Sequence, residues 1–309
     1  MWKTVVRRIL LMIPQIFILS ILVFGVAKLM PGDPFTGLIT PETDPMVIEM
    51  LRERAGLNDP VPVQYFRWLG NALQDVMTII GMRAQNTILL SALSLVLTYL
   101  IALPLGMFAG RYNDSFFDKA VVVYNYVSFA IPTFVLALLM LWLFGYTLNW
   151  FPTSGSVDVT YASGSMDYFL NRAYHLVLPG ITAAFLGTTS IIQYLRSEVI
   201  DAKTQDYVKT ARSKGVPETV VYNRHIFRNS ALPIASTLGY QITFLIGGSV
   251  FIEQIFAFPG MGQLFVSSIN SRDYSVITAL VLLFGVATLF GTLLSDIIMS
   301  IVDPRIRID

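Results

Sequence analysis

The sequence predicts an all-α integral membrane protein with six transmembrane helices and both termini in the cytoplasm. Two observations carry the class, and a third carries the orientation. Of 309 residues, 54% are hydrophobic and 13% charged, and the mean hydropathy is +0.63; an ordinary soluble domain carries about 25% charged residues. The apolar residues also gather into runs of membrane length, since a helix rising about 1.5 Å per residue needs roughly 20 residues to cross a hydrocarbon core of about 30 Å. Finally, Lys and Arg divide unevenly between alternate connections.

Six runs are long enough: 9–30, 87–110, 120–148, 176–195, 232–252 and 276–302. The first follows the basic stretch MWKTVVRR, is too long for a signal-peptide core and is followed by no small-x-small cleavage site, so it reads as an uncleaved span. The third exceeds the required length, and Pro132 in SFAIPTF predicts a kink within it. With the N-terminus inside, the inner segments hold fourteen of the Lys and Arg residues, from Lys3 to Arg307, and the outer ones seven. That ratio sets the predicted orientation.

The chain then divides into a cytoplasmic N-terminus with the first span (1–30), an extracellular segment (31–85) and a five-helix core (86–309) containing a cytoplasmic loop at 200–231. The extracellular segment opens on the turn-rich PGDP and continues through MVIEMLRERAGL, whose apolar spacing predicts a short amphipathic helix. It is either a solvated cap over the spans or a contact surface for an external partner. No internal repeat is visible. A secondary carrier commonly places its site between two repeated halves, so a pathway here is expected between two chains.

Composition excludes much chemistry. A net charge of +1 gives no surplus of basic residues for a nucleic acid, and zero cysteines exclude disulfides and thiolate sites. The two histidines, His175 and His225, are expected on opposite membrane sides, and no hydrolase, zinc or phosphate-loop motif occurs. The chain is therefore not expected to be an enzyme. Charges within the spans lie near their ends: Lys28, Arg196, Glu198 and Asp296, the last expected to pair with a basic group. The uncharged polar residues at depth are Asn125, Gln193 and Gln241, each either a helix-to-helix hydrogen bond or the lining of an aqueous path. Near the predicted outer face, Phe256, Phe258 and the turn at Pro259 read as interfacial anchors or as an external gate over a pathway mouth.

The most organised polar stretch is DYVKTARSKGVPETVVYNRHIFRNSALP, residues 206–233. The positive-inside rule explains its charge but not its order. A run without breakers leads through Ala211 to Gly215 and Val216, and then Pro217 stands at a first helical position. Glu218 follows in the first turn, with Tyr222 beyond it and Arg224, His225 and Arg228 toward the end, the arrangement that complements a helix dipole. The pattern predicts helix, glycine turn, helix, and such a unit can dock in a groove of a soluble partner.

Eleven stretches in sequence order, among them LMPGDPFTG, ALPLGMFAGRYNDSFFD, QDYVKTARSKGV, FIEQIFAFPGMGQLF and VDPRIR, give the chain its resemblance to the permease subunits of binding-protein-dependent ABC importers. The similarity is to the oligopeptide, dipeptide and nickel subgroup, and most to its oligopeptide permease B-type subunits. In the family's cytoplasmic motif, Lys209, Thr210 and Ala211 stand where a Glu-Ala-Ala triplet is usual, while Gly215, Leu232 and Pro233 are retained. A Gly-Asp-Phe-Gly-x-Ser stretch usual before the second span is missing between Leu73 and Gln85.

The resemblance implies a type I importer permease fold in a bacterial inner membrane. It also implies a second homologous permease subunit, two cytoplasmic ATP-binding subunits and an extracellular peptide-binding lipoprotein. ATP and Mg would be bound by the ATPase partners, with no cofactor on this chain. The loop carrying Ala211, Gly215, Val216, Pro217, Glu218, Tyr222, Arg224 and His225 would couple to an ATPase. The expected cargo is oligopeptides, with dipeptides or nickel as alternatives on the same machinery and a non-transporting assembly protein as the rival class.

Overall fold

The computed structural model describes residues 2–29, 45–71, 77–234, 238, 241 and 249–302, and every described element is helical. The PGDP turn, most of the predicted fifth span with Gly239, Gly247 and Gly248, and the terminal DPRIR lie outside the described residues.

Four helices have the length and apolarity to cross a membrane. They are α1 (Trp2–Leu29), α4 (Met77–Arg111), α7 (Met166–Ala202) and α13 (Tyr274–Val302). Between α1 and α4 lie two short helices, α2 (Pro45–Ala55) and α3 (Val61–Asn71). The first of these is the amphipathic helix expected from MVIEMLRERAGL.

The predicted third span is broken rather than kinked. Helices α5 (Phe116–Ala130) and α6 (Thr133–Met140, continued by a widened turn Leu141–Thr147) meet at 103°. Pro132 cannot donate to the preceding turn and forces the residue before it out of helical geometry. Ile131 accordingly sits at φ −82°, ψ 120°. Pro14, Pro104 and Pro179, by contrast, lie inside continuous helices.

The centre of the bundle is the pairing of α4 with α7. Ala102, Gly106 and Gly110 recur every four residues on α4 and are all buried, leaving a smooth stripe for close helix approach. A methyl group built on Gly110 would stand 2.6 Å from Val199 Cβ, and one on Gly106 would stand 3.1 Å from the Ile192 carbonyl. The stripe is therefore a steric requirement of the pairing. Helices α1 and α13 form a second pair, where Leu19 packs on Gly285 and Arg8 meets Asp296 at 3.1 Å, the partner expected for that carboxylate.

After α7 come α8 (Asp206–Ser213), α9 (Glu218–Val220) with a widened turn Val221–Ile226, and α10 (Phe227–Ser230). At the other end of the bundle are α11 (Val250–Ile255) and α12 (Met261–Ser271). The two groups of short helices pack at opposite ends of the α4–α7 pair.

Candidate functional site: a seated basic loop

The loop at one end of the bundle is built by its own sequence and then anchored. Helix α8 stops because Gly215 adopts φ +72°, a left-handed conformation that glycine takes without steric cost. The Gly215 N–H donates to the Arg212 carbonyl at 2.9 Å, and the Val216 N–H donates to the Ala211 carbonyl at 3.2 Å. These are the paired bonds of a Schellman stop, with the apolar Val216 turned back toward the core. Pro217, expected at the first helical position, instead caps α9 at φ −57°, ψ 140°, and Glu218 opens the helix one residue later. Helix, glycine turn, helix is the arrangement read from the sequence.

An ion pair closes the turn across its mouth. Arg212 Nε donates to Glu218 Oε1 at 2.7 Å, and Nη2 donates to Oε2 at 3.3 Å. The guanidinium holds the Glu218 carboxyl below its ordinary range, and Glu218 in turn raises Arg212. Lys209 likewise lowers Asp206 through a 2.9 Å bond within α8.

The loop's inner face belongs to the core of the bundle. Val208, Ala211, Val221, Tyr222 and Ile226 are buried in one cluster with Ala109 of α4 and Ile192, Leu195 and Val199 of α7. The Arg111 guanidinium lies 4.5 Å from the centre of the Tyr222 ring, a cation–π contact joining the end of α4 to the loop. Lys203 Nζ donates to the Gly110 carbonyl at 2.9 Å, to the Arg111 carbonyl at 3.2 Å and to Asn113 Oδ1. It thereby satisfies the open end of α4 from the last turn of α7. Burial, and then the nearby Arg212, lower its pKa.

Just beside it, Asp118 is 2% exposed and accepts from Arg196 through both carboxylate oxygens, at 2.7 Å from Nη2. It also accepts from the Asp114 N–H at 2.8 Å. This pair ties α5 to α7.

The eight residues expected in the loop therefore separate into two roles. Ala211 and Tyr222 are buried and Val216 is half-buried, so they seat the loop and offer no contact surface. Gly215, Pro217, Glu218 and Arg224 are exposed, and His225 is half-buried at the edge. With exposed Lys209, Lys214 and Val220 they form a basic crest carrying a small apolar patch.

The three polar residues expected to line a path are placed differently from one another. Asn125 is 5% exposed on the inner face of α5, so it borders no open surface of this chain. Gln241 accepts from the Tyr99 hydroxyl at 3.1 Å, a helix-to-helix bond. Gln193 is the one that reaches the exterior, on α7.

At the opposite end, the aromatic residues expected as a gate are core side chains. Phe256 and Phe258 are 2% and 0% exposed, packed with Leu90, Ala137, Leu141, Leu178 and Ile252. Half-buried Pro259 is held by its carbonyl, which accepts from Asn86 Nδ2 at 2.9 Å, while Asn86 Oδ1 accepts from Arg172 at 2.8 Å. In this conformation the element is packed into the end of the bundle.

Sequence reasoning passes over the residue that organises this end, Glu253. It is fully buried and accepts from the Thr87 hydroxyl at 2.7 Å and from the Gln263 N–H at 3.1 Å. Thr87 Oγ1 also accepts from the Met261 N–H at 2.8 Å. The carboxyl group, ten residues upstream of Gln263, supplies the cap that Gly260 cannot give α12, while burial pushes its pKa up. A side chain on Gly260 would collide with it. The one signal in the sequence is a lone acid seven residues before a glycine in FIEQIFAFPGMG.

Among the described residues, no cluster of His, Asp or Glu could hold a metal. The chemistry on display is mechanical: two helix pairs, a rigid capped end and a basic loop welded to the core.

The family model described as "Binding-protein-dependent transport system inner membrane component" matches residues 102–308. Its companion, for the N-terminal part of that membrane component, matches residues 1–100. The oligopeptide transport system permease protein AppB of Bacillus subtilis (strain 168) is 37% identical over 98% of both chains. A putative peptide transport system permease protein of Brucella abortus (strain 2308) is 36% identical over the whole of both. The glutathione transport system permease protein GsiC of Escherichia coli O1:K1 / APEC is 31% identical over 99% of both. The long apolar helices and the matched family together make this a multi-pass bacterial inner-membrane protein and a permease component rather than a catalytic one. The chain belongs to the family of inner membrane components of binding-protein-dependent transport systems.

Proposed function

We propose that this chain is one of two homologous permease subunits of an ATP-driven importer that takes up oligopeptides delivered by an extracellular binding protein. The observation that carries the reading is the seated loop. Its inner face is continuous with the core of α4 and α7, and its outer face is a free basic crest. A force applied to the crest reaches the bundle through Val208, Tyr222 and Ile226 without a hinge. The names of the relatives support peptides as the cargo.

In this reading the chain has six spans, places both termini and the loop in the cytoplasm, and hydrolyses nothing. Two ATP-binding subunits receive the crests of the two permeases, and ATP with its Mg is bound by those subunits. Closure of the ATPase pair rocks α4 and α7 together, because the Gly106–Gly110 stripe, Lys203 and the Asp118–Arg196 pair lock them to each other and to α5. Shifting a two-state equilibrium from about 1:99 to 99:1 takes roughly 5.5 kcal/mol. A loop with a buried apolar seat can transmit work of that size. The pathway lies between the two permeases, and the exposure of Gln193 on α7 supports it as this chain's contribution to the lining.

The test is uptake of labelled peptides of several lengths, and of nickel, in a strain lacking this gene. Loss of peptide uptake with nickel uptake intact is the expected result. Undiminished peptide uptake would exclude the reading, and loss of nickel alone would move the cargo to a chelated metal.

A further inference from the structure

Helix α3 stands where neither a solvated cap nor a conventional span would put it. Its Tyr65 is buried against α1, where the hydroxyl shares a 2.6 Å hydrogen bond with Ser20 and the ring meets Phe17 and Phe24 edge-on. Three residues on, Trp68 Nε1 donates to Thr278 Oγ1 of α13 at 2.9 Å.

The antiparallel pair α1 and α13 provides a ruler, with its zero at the Arg8–Asp296 bridge. At about 1.5 Å per residue, Ser20 lies roughly 18 Å above that bridge and Thr278 roughly 27 Å above it. A hydrocarbon core is about 30 Å thick. Arg8 immediately precedes the apolar run 9–30, so with the bridge taken as the near edge of the core, the inner edge of α3 falls at the depth of the far leaflet.

The rest of the helix fits that depth. Gln64, Arg67 and Asn71 recur at i, i+3 and i+7 and form a single polar stripe. Along it, Gln64 donates to the Leu57 and Asp59 carbonyls at 2.8 and 2.6 Å, and Arg67 pairs with Asp59 at 2.9 Å. The remaining arc is apolar. Tyr65 and Trp68 take the protein side of it, while Val63 and Phe66 project outward, 46% and 68% exposed. That outward face continues the exposed apolar face of α1 at Phe17 and Ile21, which a membrane helix turns to lipid. An amphipathic helix with a polar face and an opposing apolar one can lie in the interface plane, its apolar side at the boundary of headgroups and acyl chains.

We propose that α3 is an interfacial helix on the side opposite the basic loop, with Val63 and Phe66 inserted among phospholipid acyl chains and the Gln64–Arg67–Asn71 stripe facing water. The occupant is lipid rather than protein because the face lies at acyl-chain depth and runs on from the lipid-facing side of α1. The helix would anchor the segment that follows the first span, fixing α1 against α13 by Tyr65 and Trp68.

The chain has no cysteine, so single Cys variants report one position each. Val63→Cys, Phe66→Cys, Gln64→Cys and Asn71→Cys are spin-labelled in the assembled transporter in phosphatidylethanolamine–phosphatidylglycerol vesicles. The signal from the complex carrying the unmodified chain is subtracted. Accessibility to oxygen relative to a water-soluble nickel chelate should be several-fold higher at 63 and 66 than at 64 and 71. Equal ratios at all four positions would show a solvated cap and overturn the proposal. So would inaccessibility to both reagents at 63 and 66, which would mean that protein covers them.

Discussion

Replacing Gly215 with valine tests the loop through one torsion angle. At φ +72° an L-residue crowds its own backbone by roughly 1–2 kcal/mol, and a β-branched residue is a marked outlier there. A methyl group placed on Gly215 would have nothing within 4 Å of it, so the Cβ itself meets no neighbour and the expected cost is torsional. Opening the turn to relieve it breaks the two Schellman bonds and separates Arg212 from Glu218, an exposed pair contributing about 0.2–1 kcal/mol. Since about 1.4 kcal/mol is a factor of ten, the native turn should lose roughly five- to thirtyfold in population against its opened forms. The assay is peptide uptake and ATP hydrolysis measured together in vesicles holding the full transporter and its binding protein. Gly215→Val should insert normally, hydrolyse ATP and move several-fold less peptide per ATP. Gly215→Asn should be close to normal, because asparagine tolerates the left-handed region. Normal uptake by the valine variant would refute a coupling role for the turn, and equal damage from asparagine and valine would refute the torsional explanation.

Three further outcomes follow from the same geometry. Arg196→Ala strands the buried Asp118 carboxylate and should cost about 3–5 kcal/mol, read as a lower melting temperature in detergent, and an unchanged melting temperature would contradict the role of the pair. Glu253→Ala leaves the Thr87 hydroxyl and the Gln263 N–H without their acceptor, at about 1–3 kcal/mol for each buried unsatisfied group. Glu253→Gln should fall between that variant and the native chain in resistance to protease, and an alanine variant as resistant as the native chain would contradict the capping role. Glu218 has a lowered pKa in the folded loop, so its pairing with Arg212 stabilises above the ordinary carboxylate range and is lost as pH falls through the lowered value. The pair is exposed, so at most about 1 kcal/mol is involved. The excess protease sensitivity of Glu218→Gln at the loop should be small at neutral pH and vanish in acid, and a difference that grew in acid would reverse the sign.

Much of the fold is legible because membrane helices announce themselves by length and the loop by its punctuation. The spans 87–110, 176–195 and 276–302, and the described part of 9–30, each fall within a long helix, and Gly215, Pro217 and Glu218 mark the turn and restart to within one residue. The break at Pro132 is legible only as a kink, because a proline fixes where a helix bends but not how far neighbouring packing carries the bend. What composition cannot supply is facing. Asn125, Phe256 and Phe258 have the right chemistry for a pathway or a gate, yet tertiary packing turns them into the core. Ala211 and Tyr222 read as part of a contact surface because a motif marks which residues matter without saying which side they face. Glu253 escapes notice because its partners, Thr87 and Gln263, stand on other helices, and a long-range cap leaves no local spacing to find.

The most direct measurement of the central claim, that the crest of this loop is where the permease is driven, is site-directed crosslinking to the ATP-binding subunit. Val220→Cys places a thiol on the exposed crest, and Val208→Cys places one in the buried seat less than four helical turns away along the chain. With a short bifunctional maleimide, Val220→Cys should give a product with the ATP-binding subunit whose yield changes on ATP addition, and Val208→Cys should give none. Absence of that product at Val220, with the crest freely labelled by a monofunctional maleimide in the intact complex, would contradict the account.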